Sequence, residues 1–93
     1  MTSTTEYTVY TKPDCPQCDK TKAYFDSKGI SYTAVDITEV PVALEYITEE
    51  LGYSQAPVVQ NNADDQDHWS GLRRDKLVQA VMNHTPTRIE AAS

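Results

Sequence analysis

Two cysteines, Cys15 and Cys18, are separated only by Pro16 and Gln17, and the chain of 93 residues holds no others. Their setting constrains the fold more than any other feature of the sequence. Ahead of them, residues 6–11 alternate Tyr7 and Val9 with Thr8 and Tyr10, the β-branched and aromatic pattern of a strand. Lys12-Pro13-Asp14 breaks that pattern. Behind them, residues 16–28 read as a helix. Pro16 suits the first turn, where its missing N–H costs nothing, and Gly29 suits the position just past the end. Cys18, Thr21 and Phe25 fall on one face of that helix, with Tyr24 beside them. A bridge between cysteines this close restrains the unfolded chain very little, so its purpose is chemical rather than structural.

The remaining elements follow from patterning. Residues 30–37 form a second alternating strand, which makes a parallel strand–helix–strand unit with the first two elements. Val40, Ala43, Leu44, Ile47 and Leu51 recur as the core-facing stripe of a second helix, stopped by Gly52. Residues 56–60 give a short third strand opened by Pro57, a residue confined to strand starts and edges. A polar turn over residues 61–67, which looks long, leads to a brief strand near Trp69. A last helix spans about residues 74–83, with Leu77, Val78, Val81 and Met82 predicted inward. The expected order is β-α-β-α-β-β-α: one α/β domain over residues 1–84, a four-stranded mixed sheet flanked by three helices, then a loose tail over residues 85–93.

Composition narrows the function. With 39% hydrophobic and 24% charged residues the chain is that of a globular domain. A net charge of −6 excludes nucleic acid as the main partner, because phosphate binding needs a basic face. No apolar run reaches the ~20 residues that span a bilayer, and the first residues lack the basic and apolar regions of a secretory signal. The expectation is a cytoplasmic, monomeric protein with no membrane partner.

The pair itself reads as redox chemistry. A C-x-x-C at a strand-to-helix junction within a βαβ pattern is similar to the thioredoxin-like signature. There Cys15 meets the unpaired N–H groups and positive dipole end of the helix, which favour its thiolate. Lys12, three residues earlier, adds a cation. Cys18 lies one turn on, so Cys15 is expected to attack a substrate disulfide and Cys18 to resolve the mixed disulfide. Pro16 restricts the turn. A zinc site would need two further ligands, and His68 and His84 are distant and unpaired in spacing, so no metal is expected; both histidines read as solvated. Pro57 is either a proline at a strand start or a cis proline facing the cysteines, and the element order favours the latter. Trp69 is either partly buried core or part of a docking surface.

Several further segments carry a family resemblance. They are Val9-Tyr10-Thr11-Lys12-Pro13, Gln17, Val35-Asp36, Leu51-Gly52-Tyr53, Gln55-Ala56-Pro57-Val58-Val59, and His68-Trp69-Ser70-Gly71-Leu72-Arg73 followed by Asp75. From Tyr7 to Met82 the chain resembles the NrdH-redoxins, glutaredoxin-like members of the thioredoxin superfamily. The resemblance implies a dithiol–disulfide oxidoreductase with no bound cofactor. Its electrons come from NADPH through thioredoxin reductase, and its acceptor is a class Ib ribonucleotide reductase. It implies a cis Ala56–Pro57 bond and a docking surface drawn from Trp69, Ser70, Gly71 and Arg73. Pro16, Leu72 and Arg74 depart from the usual family residues. Glutathione-using relatives place acidic residues where this chain has Arg73 and Arg74, so two cations are expected to repel the tripeptide's ammonium. A glutathione-dependent glutaredoxin, favoured by Pro16, and a non-catalytic binding module are the alternatives.

Overall fold

The computed structural model describes residues 5–83. Strand β1 (Tyr7–Thr11) leads to helix α1 (Pro16–Ser27), then strand β2 (Tyr32–Asp36) and the short helix α2 (Pro41–Glu45), which widens into a π-helical turn (Tyr46–Glu50). Strands β3 (Val58–Asn61) and β4 (Asp64–Ser70) and helix α3 (Arg74–Asn83) complete the chain. The sheet order is β2-β1-β3-β4. Strand β1 pairs parallel with β2 and antiparallel with β3, and β3 pairs antiparallel with β4. This is the thioredoxin fold, with the expected element order and mixed sheet.

The two-residue period of the strands divides the core into two layers. On one face Tyr7, Val9, Val59 and Trp69 meet Phe25 of α1 and Leu77 and Ala80 of α3. Phe25 stacks on Tyr7 with ring centroids 5.1 Å apart. Burying a side chain of that size contributes up to about 3 kcal/mol, so this layer fixes α1 against β1. On the other face Val58 meets Ile37, Ala43 and Ile47, with Tyr10, Val35 and Leu51 partly buried around them.

Four details differ from the sequence reading. The second helix is not one regular stripe. Leu51 N–H donates to the Tyr46 carbonyl at 3.2 Å, five residues back, so the last turn widens; ahead of it Ala43 and Ile47 point in, while Val40 and Leu44 are exposed. On α3 Leu77 and Ala80 are buried and Val81 packs partly buried against the same layer, whereas Val78 and Met82 are 49% and 78% exposed; the small Ala80 carries no hydrophobic signal of its own. The turn after β3 is tight rather than long, because Asn61 Oδ1 accepts the Ala63 N–H at 2.9 Å and β4 starts at Asp64. The extra residues form an irregularity in β4 opposite Gln60 and Asn61. Finally, His68 is not simply solvated: its Nδ1 lies 2.8 Å from the Tyr53 hydroxyl and its ring stands edge-on to Tyr53. His84 and the expected tail lie outside the described residues.

Candidate active site

The site begins where β1 ends. Pro13 and Asp14 turn the chain, with Asp14 at φ +56°, a left-handed conformation that aspartate tolerates better than most residues. Cys15 follows in extended geometry as the N-cap of α1, and Pro16 occupies the first helical turn. The Cys18 N–H donates to Cys15 Sγ at 3.2 Å, so the sulfur takes the capping role that a serine or aspartate oxygen has at other helix starts. Cys15 and Cys18 are joined as a disulfide, with Cα atoms 5.2 Å apart. The helix start is less open than the sequence implies: Cys15 is 6% exposed and Cys18 0%. Of the two, Cys15 lines the adjoining cleft.

Magnitudes rank the effects acting on Cys15. A helix dipole stabilises a nearby anion by about 0.3–1 kcal/mol, whereas a hydrogen bond to a charged group contributes about 1.5–3 kcal/mol. The Cys18 N–H is therefore the stronger device for holding a Cys15 thiolate once the bridge opens. Lys12 is exposed and lines the same cleft as Cys15, where solvent screens its charge.

That cleft, about 360 Å³, is lined by Lys12, Asp14, Cys15, Pro16 and Gln17 together with Ser54, Gln55 and Ala56. The Ala56–Pro57 peptide is cis, and the Pro57 ring is fully buried. The Pro57 carbonyl accepts the Gly71 N–H at 2.7 Å, tying this loop to the segment before α3. Gln17 Oε1 accepts the Leu72 N–H at 3.1 Å, and Gln55 Nε2 donates to Ser70 Oγ at 3.1 Å. Three loops are thus bolted together around the cysteines. Gly71 makes the closure possible: its φ is +80°, and a Cβ there would meet Gln55 Nε2 at 3.4 Å.

Two residues singled out from sequence have a different place. Trp69 is a core residue, 3% exposed, packed edge-on against Tyr7 with Lys76 Nζ over its ring at 5.5 Å. A partner can reach its neighbours Ser70 and Arg73, not the indole. Arg73 is exposed but not free: its Nε and Nη2 donate to the two Asp75 carboxylate oxygens at 3.1 and 2.9 Å. This fork holds the Asp75 carboxyl below its usual range and raises the guanidinium. The pair is internally neutral, so the expected repulsion by two cations shrinks to Arg74, which lines a separate groove with Lys20, Leu72 and Val78. Sequence reasoning missed Asp14 and Gln55 as site residues. The Asp14 turn carries a signal in its Pro-Asp dipeptide; Gln55 stands in a segment that carries the family resemblance, but no local pattern marks its side chain as a site residue.

An N-terminal cysteine reachable from solvent, bridged to a buried partner one turn along the helix, defines a thiol–disulfide oxidoreductase when it is carried on the thioredoxin fold. Comparison with known proteins narrows the class. The glutaredoxin family model matches residues 7–64. The glutaredoxin-like protein NrdH of Escherichia coli K12 is 37% identical over 70 residues, which is 75% of this chain and 82% of that protein. The Gene 56 protein of Mycobacterium phage L5 is 40% identical over 78 residues, 84% of this chain and 74% of its own. The solved NrdH-redoxin from Escherichia coli, described as having a thioredoxin-like activity profile, matches with a TM-score of 0.70 at 33% identity, covering 78% of this chain and 91% of that one. The chain belongs to the glutaredoxin family, in its NrdH-redoxin group.

Proposed function

We propose that this redoxin carries electron pairs from NADPH, through a thioredoxin reductase, to a class Ib ribonucleotide reductase. The Cys15 thiolate attacks a disulfide of the acceptor, forming a mixed disulfide and releasing one acceptor thiolate. Cys18 then attacks Cys15 Sγ, closing the Cys15–Cys18 bridge and releasing the second. The two thiol protons go to the two departing thiolates, and the acceptor gains two electrons. Replacing Cys18 by Ser stops the second step. The expected result is a trapped adduct between Cys15 and the acceptor, visible as a mass increase that a reductant reverses; full turnover without an adduct would reassign the resolving role.

The observation that carries the choice of electron source is the Arg73–Asp75 fork. In a glutathione-using relative acidic residues stand where this chain has Arg73 and Arg74; here the first of these positions holds a guanidinium that already engages the nearby Asp75, so neither supplies an anion to the tripeptide's ammonium. NADPH consumption with a model disulfide tests this, with either thioredoxin reductase or glutathione plus glutathione reductase supplied. Turnover is expected only with thioredoxin reductase. Arg73→Ala frees Asp75 and is expected to raise glutathione-dependent turnover several-fold. Pro16 favours the second reading, a glutathione-dependent glutaredoxin, and turnover confined to the glutathione arm would establish it.

A further inference from the structure

Thr21 lies one turn beyond Cys18 on the buried face of α1, and both are fully buried. The Thr21 hydroxyl has no hydrogen-bond partner. A helical threonine ordinarily donates back to a carbonyl three or four residues earlier. Thr48 does so in this molecule, at 2.9 Å to the Leu44 carbonyl and 3.2 Å to that of Glu45. An idle buried hydroxyl is costly, and a domain this small has little stability to spare. Its position gives the idleness a use. Helical side chains lean over the turn that precedes their own Cα, which sets Thr21 toward Cys18.

In the disulfide, Cys18 Sγ is neutral and a weak acceptor. The resolving step needs it as a thiolate, and an anion in so dry a place is costly unless a donor meets it. Among the described residues the buried polar side chains are Thr11, Thr21 and Gln60. No carboxylate or cation is among them, and Gln60 already donates to the Tyr46 hydroxyl at 2.8 Å. The other idle buried donors, Thr11 Oγ1 and Trp69 Nε1, belong to strands β1 and β4. We propose that Thr21 is the hydrogen-bond donor to the Cys18 thiolate, idle while the bridge is closed and engaged when it opens. The inference rests on the reading that Cys18 resolves the mixed disulfide. Thr21 gives up no proton: the Cys18 proton leaves with the departing acceptor thiolate.

The test isolates Cys18 in a Cys15→Ser background and titrates it through its thiolate absorbance. Thr21→Val, nearly the same shape without the hydroxyl, is expected to make the Cys18 thiol about tenfold less acidic. Thr21→Ser and Thr21→Ala both lose the methyl group and differ only in the hydroxyl. Ser is expected to stay close to the parent and Ala to behave like Val, which keeps the test decisive should the Val variant fail to fold. Release of a preformed mixed disulfide at neutral pH is expected to slow about threefold for that tenfold loss of acidity, because the scarcer thiolate is also the stronger nucleophile. The initial attack, measured in a Cys18→Ser background, is expected to be unchanged. Equal Cys18 pKa values in the Ser and Ala variants would overturn the proposal, as would a rise seen with Thr11→Val and not with Thr21→Val. If Cys18→Ser turned over without an adduct, the resolving role would fall while the Ser–Ala comparison still decided the hydrogen bond.

Discussion

Tyr7 carries a phenol into the core layer that holds α1 against the sheet. Burial chiefly, with Asp67 and Glu6 adding repulsion, pushes its pKa up from 10.0 to about 12. The folded protein therefore keeps this proton over a pH range in which the unfolded chain releases it. The associated stability is whole below pH 10 and drains away as the pH rises toward 12. Thermal unfolding followed between about pH 9 and about pH 11.5 is expected to show the parent falling more steeply than Tyr7→Phe, by no more than about 2 kcal/mol; parallel curves would assign the alkaline loss to other tyrosines. Individual residues were legible in the sequence where chemistry alone identifies them, as with Cys15 and Cys18. Arg73 was legible as a cation but not as a paired one. Its partner stands only two positions on, and whether such neighbours meet depends on the turn that starts α3.

Elements join through their ends, and the ends carry the site. The acceptor supplied by Gln17 to the Leu72 N–H links the first turn of α1 to the segment entering α3. Gln17→Leu removes that acceptor and is expected to cost about 1 kcal/mol, with faster hydrogen exchange at the Leu72 amide and a loss of turnover. Gln17→Glu keeps an acceptor and is expected to preserve both; unchanged exchange in the Leu variant would show that the Gly71–Pro57 and Gln55–Ser70 bonds hold the segment without it. Strand and helix identities followed from periodicity, since alternation along β1 and the Pro16-to-Gly29 frame of α1 are local signals. The π-helical turn was not legible, because a widened turn keeps the composition of an ordinary helix and changes only which side chains face in. The start of β4 was hidden for a related reason: Asp64 reads as a loop residue, and its pairing with Asn61 of β3 overrides that preference.

At the scale of the molecule, one chain order yields two core layers with the cysteine pair at the junction between β1 and α1. The sequence carried that order but not the packing of Trp69, whose large apolar side chain suits a core or a docking surface equally until the sheet register sets it opposite Val59. No helix among the described residues is long and apolar enough to cross a membrane. The cap of α1 has a thermodynamic consequence for the whole protein. Cys15 Sγ closes the first turn of a helix and is also one of the two atoms that change oxidation state. Folding and reduction are then two sides of one cycle: whatever the folded chain gains by presenting its N–H groups to a thiolate, compared with the unfolded chain, must reappear as a shift in reduction potential. Each 1.4 kcal/mol of that difference corresponds to about 30 mV. The potential of this redoxin is thus a property distributed along α1, and substitutions far from either sulfur can tune it by changing how firmly the helix begins.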